Sequence, residues 1–182
     1  MQIGNLISRI YALHKIGISL LFIFGLHTLG ISQKCNLEVN QVDPVTNAVI
    51  KRTADESVGR LNGQPLYFKA QCIGEKKYLK MRYYRYGDFT ISEETPLIIT
   101  FLDESTLEIM PRKSRRSQSA DETLTSVSSL MIFDIDKNQY TTISKQPIKQ
   151  ITVQTETNET IVTDIRERFR LVLQEILNCV EL

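Results

Sequence analysis

Leu66-Tyr67-Phe68-Lys69-Ala70-Gln71-Cys72, the turn residues Gly74-Glu75-Lys76, and Leu79-Lys80-Met81-Arg82-Tyr83-Tyr84 form the stretch that decides the fold. Apolar and polar residues alternate with period two on both sides of a glycine turn, as they do in a hairpin that buries one face only. Leu66, Phe68, Ala70 and Cys72 share the inward face with Leu79, Met81 and Tyr83. Tyr67, Lys69 and Gln71 share the outward face with Lys80, Arg82 and Tyr84.

The same texture extends on both sides. Asn36 to Val42 and Ala48 to Thr53 flank Asp43-Pro44-Val45-Thr46-Asn47, a hairpin turn by composition. Pro96 to Leu102 and Thr106 to Met110 pair around Asp103-Glu104-Ser105. Leu130 to Ile135 and Gln139 to Ser144 are expected to pair around Asp136-Lys137-Asn138, and Ile151 to Thr155 with Thr160 to Thr163 around Thr157-Asn158-Glu159. Residues 112–129 are polar and rich in Ser and Thr, which predicts a flexible loop.

Near the end the period changes to that of a helix. Asp164 is expected to cap it, with Glu167 reaching back as in a capping box. Ile165, Phe169, Val172, Leu173, Ile176, Leu177 and Val180 fall on one stripe at 100° per residue. The expected class is therefore α+β: an antiparallel meander closed by one C-terminal amphipathic helix, of which a pleckstrin-homology-like barrel is the favoured form and an open sheet the alternative.

The chain opens with Arg9 and Lys15, an uncharged apolar run from Ile16 to Leu29, and then Gly30, Ile31 and Ser32. This order predicts a signal peptide over 1–32, cleaved before Gln33, and export to the periplasm or medium. A retained anchor is the alternative, and it is the membrane contact expected if cleavage fails. The run is shorter than the roughly 20 residues of a spanning helix and contains His27 and Thr28. Lys34 excludes a lipid-modified Cys35, which requires a small preceding residue.

Removing the first 32 of 182 residues leaves 150, one domain of ordinary size over 33–182. Two of the 22 basic residues and none of the 21 acidic ones go with the leader, so the remaining net charge is −1. Nothing in that balance favours nucleic acid or an anionic membrane. Both histidines, His14 and His27, also leave. A domain without imidazole has no Ser-His or Cys-His nucleophile and no ordinary zinc site. No catalytic, cofactor-binding or metal-ligating set is expected.

Cys35, Cys72 and Cys179 remain and would meet an oxidising compartment, where one pair can form and one thiol is left over. Joining Cys35 to Cys179 would tie the two ends together; three buried thiols are the alternative.

Lys80, Arg82, Tyr84 and Tyr86 interleave cations with aromatic rings and form a candidate binding surface for sugars or anionic polymers. The plainer alternative is a strand whose long side chains shield their neighbours. Arg112-Lys113-x-Arg115-Arg116 is a possible anion patch or a solvated loop. Asp134-x-Asp136-x-Asn138 starts like a calcium loop, but Gln139 and Lys145 stand where glycine and an acid are needed, which favours a polar turn. Asn158-x-Thr160 is a glycosylation sequon on a turn.

Ser32-Gln33, Cys35-x-x-x-Val39-Asn40-x-Val42-Asp43-x-x-Thr46, Phe89-Thr90-Ile91, Ile148-x-x-Ile151-x-Val153 and the closing Leu177-Asn178-Cys179 resemble uncharacterised small exported proteins of Bacteroidetes bacteria. The resemblance implies export and the Cys35 to Cys179 pairing, and supplies no activity. The hairpin from Leu97 to Ile109 departs from it: Asp103-Glu104-Ser105 occupies a turn where the family carries glycine. The expected function is a non-catalytic exported domain acting by binding or structural association with an envelope protein or ligand. A carboxylate-dependent enzyme acting on glycans is the alternative, and it requires two acids facing one another across a cleft, about 5–10 Å apart.

Overall fold

The structure, a computed structural model, describes residues 35–61, 64–117, 126–156 and 160–181, all within one compact unit, Cys35–Leu182. The expected leader over 1–32, His14 and His27 included, and Asn158 of the sequon lie outside the described residues.

The central hairpin is β4 (Gln64–Ile73) against β5 (Lys76–Tyr86), with Leu66 opposite Tyr83 and Ile73 opposite Lys76. Gly74 opens the two-residue turn at φ 56°, a conformation that costs a side-chain-bearing residue roughly 1 kcal/mol or more. All seven inward residues of the hairpin are buried. β10 (Ser126–Ile135) pairs along β5 and adds Met131, Phe133 and Ile135 to the same face.

The other side of β4 is shared by two consecutive strands, β2 (Val49–Thr53) and β3 (Glu56–Leu61). Their ladder breaks at Ala54-Asp55, and there the Ala70 N–H donates to the Thr53 hydroxyl at 3.0 Å, so the backbone donor is not orphaned. β1 (Leu37–Val42) closes this edge beside β2. In the turn between them, the Asp43 carboxylate accepts from the N–H groups of Val45 and Thr46 at 2.8 and 3.1 Å. Those two bonds hold its pKa below the usual aspartate value.

A second antiparallel sheet runs β12 (Thr160–Asp164), β11 (Ile148–Gln154), β7 (Leu97–Phe101) and β8 (Thr106–Ile109). A two-stranded piece joins β6 (Thr90–Ile91) to β9 (Arg115–Arg116). Leu97, Ile99, Phe101, Ile109, Ile151 and Val153 join the inner face of the first sheet in one apolar cluster. The class is α+β. The barrel is not formed: among the described residues the six-stranded sheet ends at β1 and β10, which do not pair. Its apolar face is covered by the second layer, so burial does not require closure.

Two helices follow from different causes. The expected strand over Gln139–Ser144 is instead α1 (Lys137–Lys145). Asp136 accepts from the Gln139 N–H at 2.8 Å while the Gln139 side chain accepts from the Asp136 N–H at 3.0 Å, a reciprocal capping box. Thr141 and Thr142 return their hydroxyls to the carbonyls four residues back, so β-branched residues that read as strand are accommodated.

At the C-terminal end, Asp164 is the last residue of β12 and accepts from Gln150 at 2.9 Å instead of capping a helix. The Ile165 N–H still bonds across to the Lys149 carbonyl. A 3-10 turn over Glu167–Phe169 intervenes, and α2 (Val172–Cys179) begins after it, burying Leu173, Ile176 and Leu177 against β3 and β4 and lying beside α1.

Of the expected flexible loop at 112–129, the beginning is held and the end is strand. Pro111 bridges Phe133, the Arg112 N–H bonds to the Ile132 carbonyl, the Ser117 N–H bonds to the Phe89 carbonyl, and Ser126–Ser129 belong to β10. Backbone bonding to neighbouring strands supplies what the polar sequence lacks in apolar burial. Residues 118–125 lie outside the described residues.

Candidate functional site

The alternation that sends apolar residues inward from β4 and β5 sends a dense set of charges and rings outward. Register fixes their neighbours. Lys69 lies directly opposite Lys80, Tyr67 opposite Arg82, and Gln71 between Arg52 and Tyr78. Lys80, Arg82 and Tyr84 of the expected surface thus stand on one face with Lys69, Arg52 and Tyr67. Tyr86 lies on β5 opposite Ser126, and its side chain is outside the described part of the chain.

Two acids reach this face. A register shift between Leu37 and Val39 turns Glu38 across the sheet, where its carboxylate meets Arg52 at 3.1 Å and Lys69 at 3.1 Å. Asp55, at the break between β2 and β3, meets the same Lys69 ammonium at 3.3 Å. The hydrogen bond from Lys69 holds Glu38 below the usual carboxylate range. The side chain of Lys69 is 11% exposed, a buried cation with two anionic partners.

Lys80 has no such partner among the described residues. Burial, and then the charges of Arg52 and Lys69, lower its pKa below the ordinary lysine value. A hydrogen bond with Tyr84 raises Arg82 above its usual value. The Tyr84 ring meets Tyr67 edge to face, centroids 6.2 Å apart. Gln71 is buried, and its Oε1 has no hydrogen-bond partner among the described residues. The face therefore gathers four cations, Arg52, Lys69, Lys80 and Arg82, against two carboxylates, beside two tyrosine rings. Chemically it can accept anionic groups, and it holds its own acids as ion-pair partners.

The other motifs are spent locally. In the basic run, Arg116 pairs with Asp88 at 3.0 Å, and Arg112 pairs with Asp134 at 3.6 Å while lying over the Tyr78 ring. The calcium-like residues diverge: Asp134 faces Arg112, Asp136 caps α1, and the Asn138 carbonyl accepts from Thr142. Among the described residues no group of three His, Cys, Asp or Glu side chains could hold a metal ion, and no helix is long and apolar enough to cross a membrane.

Cys35 and Cys179 form a disulfide, Cα atoms 5.4 Å apart across 144 residues of sequence, and Cys72 is a buried free thiol.

A concave feature of the structure was not visible in the sequence. It is a recess of about 400 Å³ whose lining comes from β3 and from the segment between β12 and α2. Its residues lie more than a hundred positions apart in the chain, so spacing gives no sign of it.

Compared with protein-family models, curated proteins and solved structures, the chain matches none of them. Any functional reading of the chain therefore rests on its own residues and their geometry.

Proposed function

We propose that this is an exported, non-catalytic binding domain of the bacterial envelope, and that its ligand is an acidic glycan bound on the outer face of β4 and β5. The observation that carries it is the position of Lys80, whose net electrostatic surroundings disfavour its charge. That ammonium sits opposite Lys69 and near Arg52, makes no direct ion pair among the described residues, and feels Glu38 less than it feels the two cations. Like charges opposed across a ladder cost stability, and a bound anion offsets that cost. Tyr67 and Tyr84 supply rings beside the cations, suited to sugar faces. The net charge of −1 after loss of the leader argues against a nucleic-acid ligand. Export is supported by the Cys35–Cys179 disulfide, since such bonds persist in oxidising compartments.

Two measurements test this. Fractionation of cells expressing the full chain should recover the protein from periplasm or medium; recovery from the cytoplasm removes the export half. Binding to a carboxylate-bearing polysaccharide should exceed binding to neutral dextran and weaken as salt rises from about 0.05 to about 0.5 M. The double substitution Lys80→Gln with Arg82→Gln should weaken it at least about tenfold, some 1.4 kcal/mol. Undiminished binding by that variant, or stronger binding of single-stranded DNA than of the glycan, defeats the proposal.

A further inference from the structure

We infer that the recess between β3 and the 3-10 turn is a separate site for a small organic phosphomonoester, independent of the sheet-face ligand. One wall is made by a β-bulge. A register shift between Ser57 and Gly59 sets Ser57 opposite Tyr67 and Arg60 opposite Pro65, so residues three apart project on the same side of β3. Gly59 takes φ 155° at that bulge.

The opposite wall begins at Asp164, where β12 ends, and continues through Arg166, Arg168 and Phe169. Buried Ile165, tied to Lys149, holds this turn against the sheet.

Three arginines thus line one recess, and none of Arg60, Arg166 and Arg168 has an ion-pair partner among the described residues. The Arg168 guanidinium lies over the Phe169 ring, 4.5 Å from its centroid, which restrains one side of the site. Among the described residues Asp164 is the only carboxylate in the lining, and its Oδ1 is already engaged by Gln150.

The chemistry of the lining selects the ligand. Three positive charges against one negative leave an excess of two, which matches the roughly −1.5 to −2 of a phosphomonoester at neutral pH. A sulfate ester or a carboxylate brings only one. Planar guanidinium forks pair with phosphate oxygens through two hydrogen bonds each, a geometry lysine does not offer. Phe169 adds an apolar surface for the organic part. The volume of about 400 Å³ lies at the small end of ligand pockets, suited to a single phosphorylated sugar.

The test is isothermal titration of the oxidised protein, purified from cells expressing the full chain, with glucose 6-phosphate, glucose 6-sulfate, glucuronate and inorganic phosphate. Glucose 6-phosphate should bind at least about tenfold more tightly than the sulfate ester or glucuronate. Inorganic phosphate should bind more weakly than the ester, because it leaves Phe169 uncovered. Arg60→Gln with Arg166→Gln should weaken ester binding at least about tenfold, without changing the thermal midpoint of the free protein, since both residues are exposed. Lys80→Gln with Arg82→Gln should leave it unchanged even if it abolishes glycan binding, which separates the two proposals. Equal affinity for the sulfate ester or for inorganic phosphate, insensitivity to the arginine substitutions, or no saturable binding overturns the inference.

Discussion

Lys80→Gln should stabilise the free protein. In the β4–β5 ladder Lys80 stands directly opposite Lys69, which already pairs with Glu38 and Asp55, so burial and the repulsion of Arg52 and Lys69 outweigh the attraction Lys80 feels from Glu38. Directly opposed like charges cost up to about 1 kcal/mol. For a domain of this size, that corresponds to a rise in the thermal midpoint of about 2–4 °C, measured by calorimetry at low salt. High salt should shrink the difference.

The pH dependence has a definite sign. Lys80 has a folded-state pKa below its ordinary 10.5, so between those two values the unfolded chain binds more protons and wild-type stability rises with pH. The advantage of Lys80→Gln should therefore fade as pH climbs toward 10.5. Lys69→Gln should do the opposite of Lys80→Gln at neutral pH, losing about 1 kcal/mol, because Asp55 loses its ion pair and Glu38 keeps only Arg52. A saturating acidic glycan should reverse the order of wild type and Lys80→Gln, since ligand at a hundredfold over Kd adds about 2.7 kcal/mol to whichever form binds it. Destabilisation by Lys80→Gln in the free protein at low salt refutes the reasoning.

Cys35→Ser should lower the free energy of unfolding by about 5 kcal/mol, the chain-entropy value for a loop of 144 residues, read as a urea midpoint that no longer responds to reductant. The Cys72 thiol should react with a thiol reagent only in denaturant, as it is fully buried. Glu104 takes φ 67° in the β7–β8 turn, so Glu104→Gly should relieve about 1 kcal/mol of backbone cost, less the small loss of its exposed pairing with Lys149; a fall in the thermal midpoint would contradict this. Asp136→Ala removes the carboxylate that caps the Gln139 N–H of α1 and should cost about 1 kcal/mol in urea denaturation.

How far the sequence could be read depended on how many faces each segment buries. The β4–β5 hairpin was legible to the residue because its apolar residues share one face, leaving a clean alternation from Leu66 to Tyr84, even though Lys69 and Gln71 on the other face are buried too. Lys80, Arg82 and Tyr84 could be grouped for the same reason. Their partnership with Glu38 and Asp55 could not, because it depends on a register shift in β1 and a break between β2 and β3.

The capping-box pattern means different things at two places. Asp164-x-x-Glu167 is followed by an apolar stripe, yet pairing between β11 and β12 extends through Asp164 and claims its carboxylate. Asp136-x-x-Gln139 precedes the β-branched Thr141, Thr142 and Ile143, whose strand-like composition hid a helix that the box in fact starts. Strand pairing overrode the motif at Asp164, whereas at Asp136 the local box overrode strand-like propensity. In the β7–β8 turn Glu104 adopts the positive φ itself, while the Asp103 carboxylate accepts from the Ser105 N–H and hydroxyl.

The covalent link between Cys35 and Cys179 also has a mechanical side. A pull exerted on chain segments outside those two residues runs from one sulfur to the other, and the strands and helices between them bear almost none of it. The cationic face and the arginine-lined recess both sit inside that closed ring. A domain of this kind can be tugged at its ends and keep its binding surfaces assembled, until reduction reopens the ring.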